Sequence, residues 1–129
     1  MKYLLLVFFN IILLLSSCSN QQVEENKNLI KFECADLDLG DVKQDEIVEC
    51  SFIYRNTGDD TIYIQDVLFS CSCTSMGDFK KSLEPGATDT LKVSLDTFGK
   101  PLGSFKEEVR VIANTKPDYY RLSIFGEIN

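Results

Sequence analysis

From Leu29 onward, apolar side chains recur at every second position in a series of short runs, and this period constrains the fold more than any other feature. Ile30, Phe32 and Cys34 alternate with Lys31 and Glu33. Val48, Cys50, Phe52 and Tyr54 alternate with Glu49, Ser51, Ile53 and Arg55. Ile62 and Ile64 flank Tyr63, and Leu91, Val93 and Leu95 are interleaved with Lys92 and Ser94. Val109, Val111 and Ala113, then Tyr120, Leu122 and Ile124, repeat the pattern. Successive side chains of a strand point to opposite faces, so each run predicts a strand with one buried face. The turn signals "LGD", "NTGDD", "EPGA", "FGKPLG" and "NTKPD" separate the runs at near-regular spacing. No segment of ten or more residues shows a helical stripe. About seven short antiparallel strands so punctuated predict an all-β sandwich.

The N-terminus is of another kind. After Lys2 the chain is apolar from Leu4 to Leu15, interrupted only by Asn10. That is the length of a signal-peptide core and too short for a spanning helix of about 20 residues. Leu15-Ser16-Ser17-Cys18 resembles the bacterial lipobox, which implies a diacylglycerol thioether on Cys18 and cleavage before it. The expected organisation is a leader at 1–17, a lipidated Cys18 with a polar tether to residue 28, and a domain at 29–129. Ser19 follows the lipid cysteine, and by resemblance to Gram-negative sorting this favours the outer membrane, facing the periplasm or the cell surface. The ten tether residues Ser19 to Asn28 span at most about 35 Å.

The formal net charge is −7, and loss of Lys2 with the leader leaves 12 basic against 20 acidic side chains, a net of −8. Nucleic acid would be repelled, and an anionic lipid surface would find no basic patch. One domain is all that such a length supports.

Asn56-Thr57-Gly58, Ile62-Tyr63-Ile64, Ser70-Cys71-Ser72-Cys73-Thr74, Pro85-Gly86, Asn114 and Gly126, in that order, resemble the bacterial domain-of-unknown-function 1573 family. The resemblance covers roughly Phe32 to Ile128. It implies an Ig-like sandwich of the kind seen in cilia- and sperm-protein-related domains, and it implies no enzymatic activity. Relatives usually have glycine where this chain has Ser72; if that glycine serves a positive φ, Ser72 would be strained.

Besides Cys18, four cysteines remain: Cys34, Cys50, Cys71 and Cys73. Cys34 and Cys50 fall on the inward register of neighbouring strands, where they could bridge or pack as small hydrophobes. Residues i and i+2 of an extended strand lie about 6.6 Å apart at Cα, near the roughly 6.8 Å limit for a disulfide. A Cys71–Cys73 bond therefore needs a backbone turn and would be easily reduced. Three readings compete for this pair. The first is structural: one or both bridge to Cys34 or Cys50, or pack at a sandwich end. The second is a soft-metal site, either two-thiolate Cu(I) or a zinc site of all four cysteines, since the chain has no histidine. Thiol–disulfide exchange is the third; it needs an activating cation, and the nearest in sequence are Lys80 and Lys81.

Other chemistry is poorly supported. "DLDLGD", Asp36 to Asp41, lacks the spacing of a calcium loop and reads better as strand, with Leu37 and Leu39 inward. Without histidine no Ser-His-Asp or Cys-His arrangement can form within the chain. The expected function is a membrane-anchored, non-enzymatic module, without cofactor, that binds a protein or envelope partner through an exposed sheet edge. The alternative is metal or redox chemistry at Cys71 and Cys73.

Overall fold

The computed structural model describes residues 29–129; the leader, Cys18 and the tether lie outside the described residues. Nine strands run in chain order: β1 (Ile30–Phe32), β2 (Asp36–Val42), β3 (Ile47–Asn56), β4 (Ile62–Phe69), β5 (Thr74–Met76), β6 (Ser82–Leu83), β7 (Thr88–Asp96), β8 (Gly103–Ala113) and β9 (Tyr119–Ile128). They form a four-stranded sheet in the order β1-β3-β7-β5 and a five-stranded sheet in the order β2-β9-β8-β4-β6. The two sheets face each other as a β-sandwich, as the alternation predicts, and the sandwich is Ig-like, as the family resemblance implies.

The inward parity of each long strand supplies the core. Phe52 and Tyr54 of β3 and Leu91 and Val93 of β7 meet Val109 and Val111 of β8 and Leu122 and Ile124 of β9. β-Branched and aromatic residues suit this half-buried surface, and their burial is the main favourable term in folding. Leu37 and Leu39 of β2 turn inward against the same core, so the strand reading of "DLDLGD" holds.

One pairing differs from an all-antiparallel reading: β2 runs parallel to β9. The first strand divides between the sheets, with β1 on β3 and β2 crossing to β9. The β2–β9 register shifts between Asp38 and Asp41, where Gly40 adopts φ 64° and its N–H is held by Asp38 Oδ1 at 2.8 Å. Gly126 faces this bulge so closely that a Cβ would lie 2.6 Å from the Gly40 carbonyl oxygen. Backbone cannot yield as a side-chain tip does. Gly126→Ala is expected to cost about 2 kcal/mol by overpacking, read as a lower denaturant midpoint at unchanged m.

Asn56 reads in the sequence as part of a turn, but in the fold it is fully buried. Its Nδ2 donates to the carbonyls of Asp60 and Leu83, both at 2.8 Å, and its Oδ1 accepts from Gly58 N–H at 2.9 Å. Its backbone N–H and C=O pair with Ala87 and Gly86. One side chain thus joins the end of β3, the following turn and β6.

Tyr54 gives the fold a pH dependence at both ends. Its hydroxyl donates to Asp89 Oδ2 at 3.0 Å, and Lys80 N–H donates to the same oxygen at 2.9 Å. Burial, then the hydrogen bond to Asp89 and its charge, push the Tyr54 hydroxyl well above the usual range. Burial also acts to raise the Asp89 carboxyl, but the Lys80 and Thr90 amides, the Tyr54 hydroxyl and the Lys80 charge outweigh it and hold the group low. A raised Tyr54 means stability that is whole below about pH 10 and lost as the pH rises beyond it; a lowered Asp89 means stability present above about pH 4 and lost below it. Tyr54→Phe should flatten the alkaline loss by up to about 1.4 kcal/mol per pH unit, and thermal melts across pH check this.

Candidate functional site

β4 ends at Phe69 in one sheet and β5 begins at Thr74 in the other, so Ser70 to Cys73 carry the chain across one end of the sandwich. The crossing is a tight turn. Thr74 N–H donates to the Cys71 carbonyl at 3.2 Å, and Cys73 C=O accepts from Asp96 N–H at 2.8 Å. The turn draws the Cys71 and Cys73 Cα atoms to 5.1 Å, well inside the extended spacing, and a disulfide joins the two residues. Ser72 sits on this turn without strain. Asp45 is the one non-glycine residue with positive φ among the described residues, so the strain expected at Ser72 does not arise.

A bond that closes so short a loop does little for the fold. Chain entropy gives a three-residue loop about 1.6 kcal/mol, against about 3 kcal/mol for one of 15 residues. Cys73 Sγ lies 3.8 Å from Glu107 Oε1. Glu107 projects from β8 on the inward parity of Val109 and Val111 and is only 9% exposed. Such a carboxylate needs partners. Lys100, from the β7–β8 loop, forms an ion pair with its Oε1, and Ser70 Oγ donates to its Oε2 at 2.9 Å. The Ser70 hydroxyl in turn accepts from Glu108 N–H at 2.8 Å, which fixes the crossing against β8.

An open groove of about 380 Å³ runs beside Cys73, lined also by Ile47, Glu49, Ser75, Ser94 and Asp96. It lies on the outward face of the four-stranded sheet and ends at the disulfide turn. Ile47 at its rim is 65% exposed, as are Phe98 and Leu102 of the β7–β8 loop at 62% and 65%.

Of the other two cysteines, Cys34 departs from the expected inward register and Cys50 keeps it. Cys34 is not inward: β1 ends at Phe32, and Cys34 is exposed in the connection to β2, its thiol donating to the Asp36 carbonyl at 3.0 Å. Cys50 is inward on β3 and packs against the core as a free thiol, which burial pushes up. Neither bridges to Cys71 or Cys73. The four-cysteine zinc set does not assemble. The metal-capable group among the described residues is Cys71, Cys73 and Glu107, with ligand atoms within 4.8 Å of one another. Sequence reasoning named Lys80 and Lys81 as the nearest cations, whereas the cation in the site is Lys100, bound through Glu107. The signal that could have found Glu107 is an acidic residue on the core-facing parity of an otherwise apolar strand.

A family model described as "protein of unknown function (DUF1573)" matches residues 30–128. The chain belongs to this family. Among solved structures, the DUF1573 domain is similar to a protein of unknown function from Porphyromonas gingivalis, with TM-score 0.66, 16% identity, 78% of this chain covered and 46% of that one. It is similar to the ASH/PapD-like domain 7 of human CEP192, with TM-score 0.62, 8% identity, and 81% and 87% covered. It is also similar to one chain in the structure of the CsuC–CsuE chaperone–tip adhesion subunit pre-assembly complex of Acinetobacter baumannii, with TM-score 0.50, 12% identity, and 77% and 55% covered. At such identities the likeness is one of fold. The chain spans less than half the length of the Porphyromonas gingivalis protein. No curated protein sequence matches it.

Proposed function

We propose that this chain is an exported lipoprotein, anchored through Cys18 in the outer membrane, whose DUF1573 domain binds a protein partner by adding the partner's strand to the edge of β3. The observation that carries this is the incomplete cover of that edge. β1 pairs with β3 only from Tyr54 to Asn56, extended to Ile53 by the bond from Glu33 N–H. Beyond it, Ile47 to Phe52 have no strand on that side among the described residues. Alternate residues of β3 bond to opposite neighbours: Glu46 and Asn56 bond to the β7 side, Ile53 and Thr57 to the β1 side. By that parity Ile47, Glu49 and Ser51 present their N–H and C=O groups to the open edge, and an extended peptide would satisfy them.

The remaining edges are blunted. β5 and β6 have three and two residues, and β2 carries a bulge and three aspartates. Exposed Ile47 offers an apolar anchor beside the open groups. The CsuC–CsuE structure supports the reading as a related fold seen in complex with a protein subunit. The leader and the Leu15-Ser16-Ser17-Cys18 motif support export and anchoring.

Photo-crosslinking in intact cells tests the edge. A crosslinker at Ile47 or Ser51 should capture one partner, and Glu49→Pro should abolish the capture while leaving the β3–β7 ladder intact, because the Glu49 N–H faces away from β7. Equal capture from Tyr63, exposed on the other sheet, would sink the proposal.

A further inference from the structure

We propose that Cys71 and Cys73 form a thiol–disulfide exchange site that oxidises a protein-borne dithiol, with Cys73 the sulfur attacked, Cys71 the leaving group and Glu107 the proton acceptor. The inference needs the reading above only for an oxidising compartment that keeps the pair bonded.

The geometry distinguishes the two sulfurs. Cys73 lines the open groove and Cys71 does not, so the groove leads an incoming thiolate to Cys73. Cys71 Sγ accepts the Cys73 N–H at 3.1 Å, which stabilises negative charge on that sulfur as it leaves. A partner thiolate attacks Cys73 Sγ and forms a mixed disulfide, and the Cys71–Cys73 bond breaks with its electron pair on Cys71. The partner's second thiol gives its proton to the Glu107 carboxylate, 3.8 Å from Cys73 Sγ, and its sulfur attacks the partner sulfur of the mixed disulfide. Cys73 leaves as a thiolate and takes the proton from Glu107, while Cys71 takes one from solvent. The partner's two thiols become a disulfide, and Cys71 and Cys73 become thiols.

The surroundings favour this chemistry over metal binding and over small anionic thiols. In the reduced state Cys71, Cys73 and Glu107 could approach a metal ion. Lys100 already holds Glu107 Oε1, so a cation would have to displace an ammonium group and accept it as a neighbour. Glu49 and Asp96 in the groove oppose a negatively charged thiol such as glutathione. Ile47, Phe98 and Leu102 at the same end of the sandwich are exposed apolar groups suited to a protein surface.

The test uses the lipid-anchored protein in detergent, with thiols counted by alkylation and mass. Excess dithiothreitol in native buffer should release two thiols, mapped to Cys71 and Cys73, while the fold persists. Cationic cysteamine should react at least about threefold faster than glutathione at low salt, and the gap should close at high salt. Cys71→Ser, offered a CxxC peptide in its disulfide form, should trap a mixed disulfide: the Cys73 thiolate attacks the peptide disulfide, one peptide thiolate leaves, and no Cys71 thiol remains to displace the other. Glu107→Gln should slow the single-turnover oxidation of a reduced CxxC peptide by the disulfide form about 100-fold and make the rate follow the peptide's thiolate fraction more steeply with pH. A bond that dithiothreitol opens only on unfolding would overturn the proposal, and this outcome needs no variant. Reduced protein that retains stoichiometric Zn(II) or Cu(I) and no longer exchanges with thiols would overturn it in favour of a metal site.

Discussion

Asn56→Ala should lower stability by about 4 kcal/mol, the sum of three lost hydrogen bonds and a small cavity. The side chain has no exposure, so the Leu83 carbonyl loses its donor in a dry site, and at the adjoining turn the Asp60 carbonyl loses its donor and the Gly58 N–H its acceptor. A domain of about 100 residues loses roughly 4–8 °C of Tm per kcal/mol, so the melt should fall by about 20 °C. Asn56→Asp separates shape from bonding. It keeps the volume but turns a carboxylate oxygen toward two carbonyls, so it should be as destabilising as alanine at neutral pH. At low pH, where the carboxyl can be protonated and donate again, it should partly recover. Denaturant titrations at both pH values decide this, and a loss under 1 kcal/mol for either variant at neutral pH would contradict the buried role.

Glu107→Ala should cost about 3 kcal/mol, at the low end of what breaking a buried ion pair costs. The Glu107 and Lys100 side chains are only 11% and 17% exposed, so removing the carboxylate leaves an ammonium group with little water. The Ser70 hydroxyl also loses its acceptor at the crossing between sheets. Replacing both charges, as in Glu107→Gln with Lys100→Met, should recover most of the loss, because an uncharged pair leaves no stranded ion. Melts of the two single variants and the double variant check the coupling. Additive losses would show that the two groups do not depend on each other.

The long strands were legible because burial of one face imposes a two-residue period. β3, β7, β8 and β9 run for nine to eleven residues, and their inward positions are those the alternation marked. β5 and β6 are too short to show a period. The parallel β2–β9 pairing left no mark either, since direction depends on the path of the chain between segments far apart in sequence. Parity misled at Cys34, where alternation continues past the end of β1 although the strand does not. In the site, the need for a turn between Cys71 and Cys73 followed from strand spacing alone. Glu107 and Lys100 did not, because 34 residues separate Cys73 from Glu107 and only tertiary packing brings them together. Asn56 looked like punctuation because asparagine serves exposed turns and buried pins with the same amide.

The most direct measurement is the intact mass of the protein extracted from membranes, with free thiols blocked before any reduction. A lipoprotein as proposed would start at Cys18 and carry diacylglycerol. It would show two blocked thiols, at Cys34 and Cys50, and two more only after reduction, at Cys71 and Cys73. A chain that retains its leader or lacks the lipid would contradict the anchored reading, and four free thiols before reduction would contradict the disulfide on which the exchange site depends.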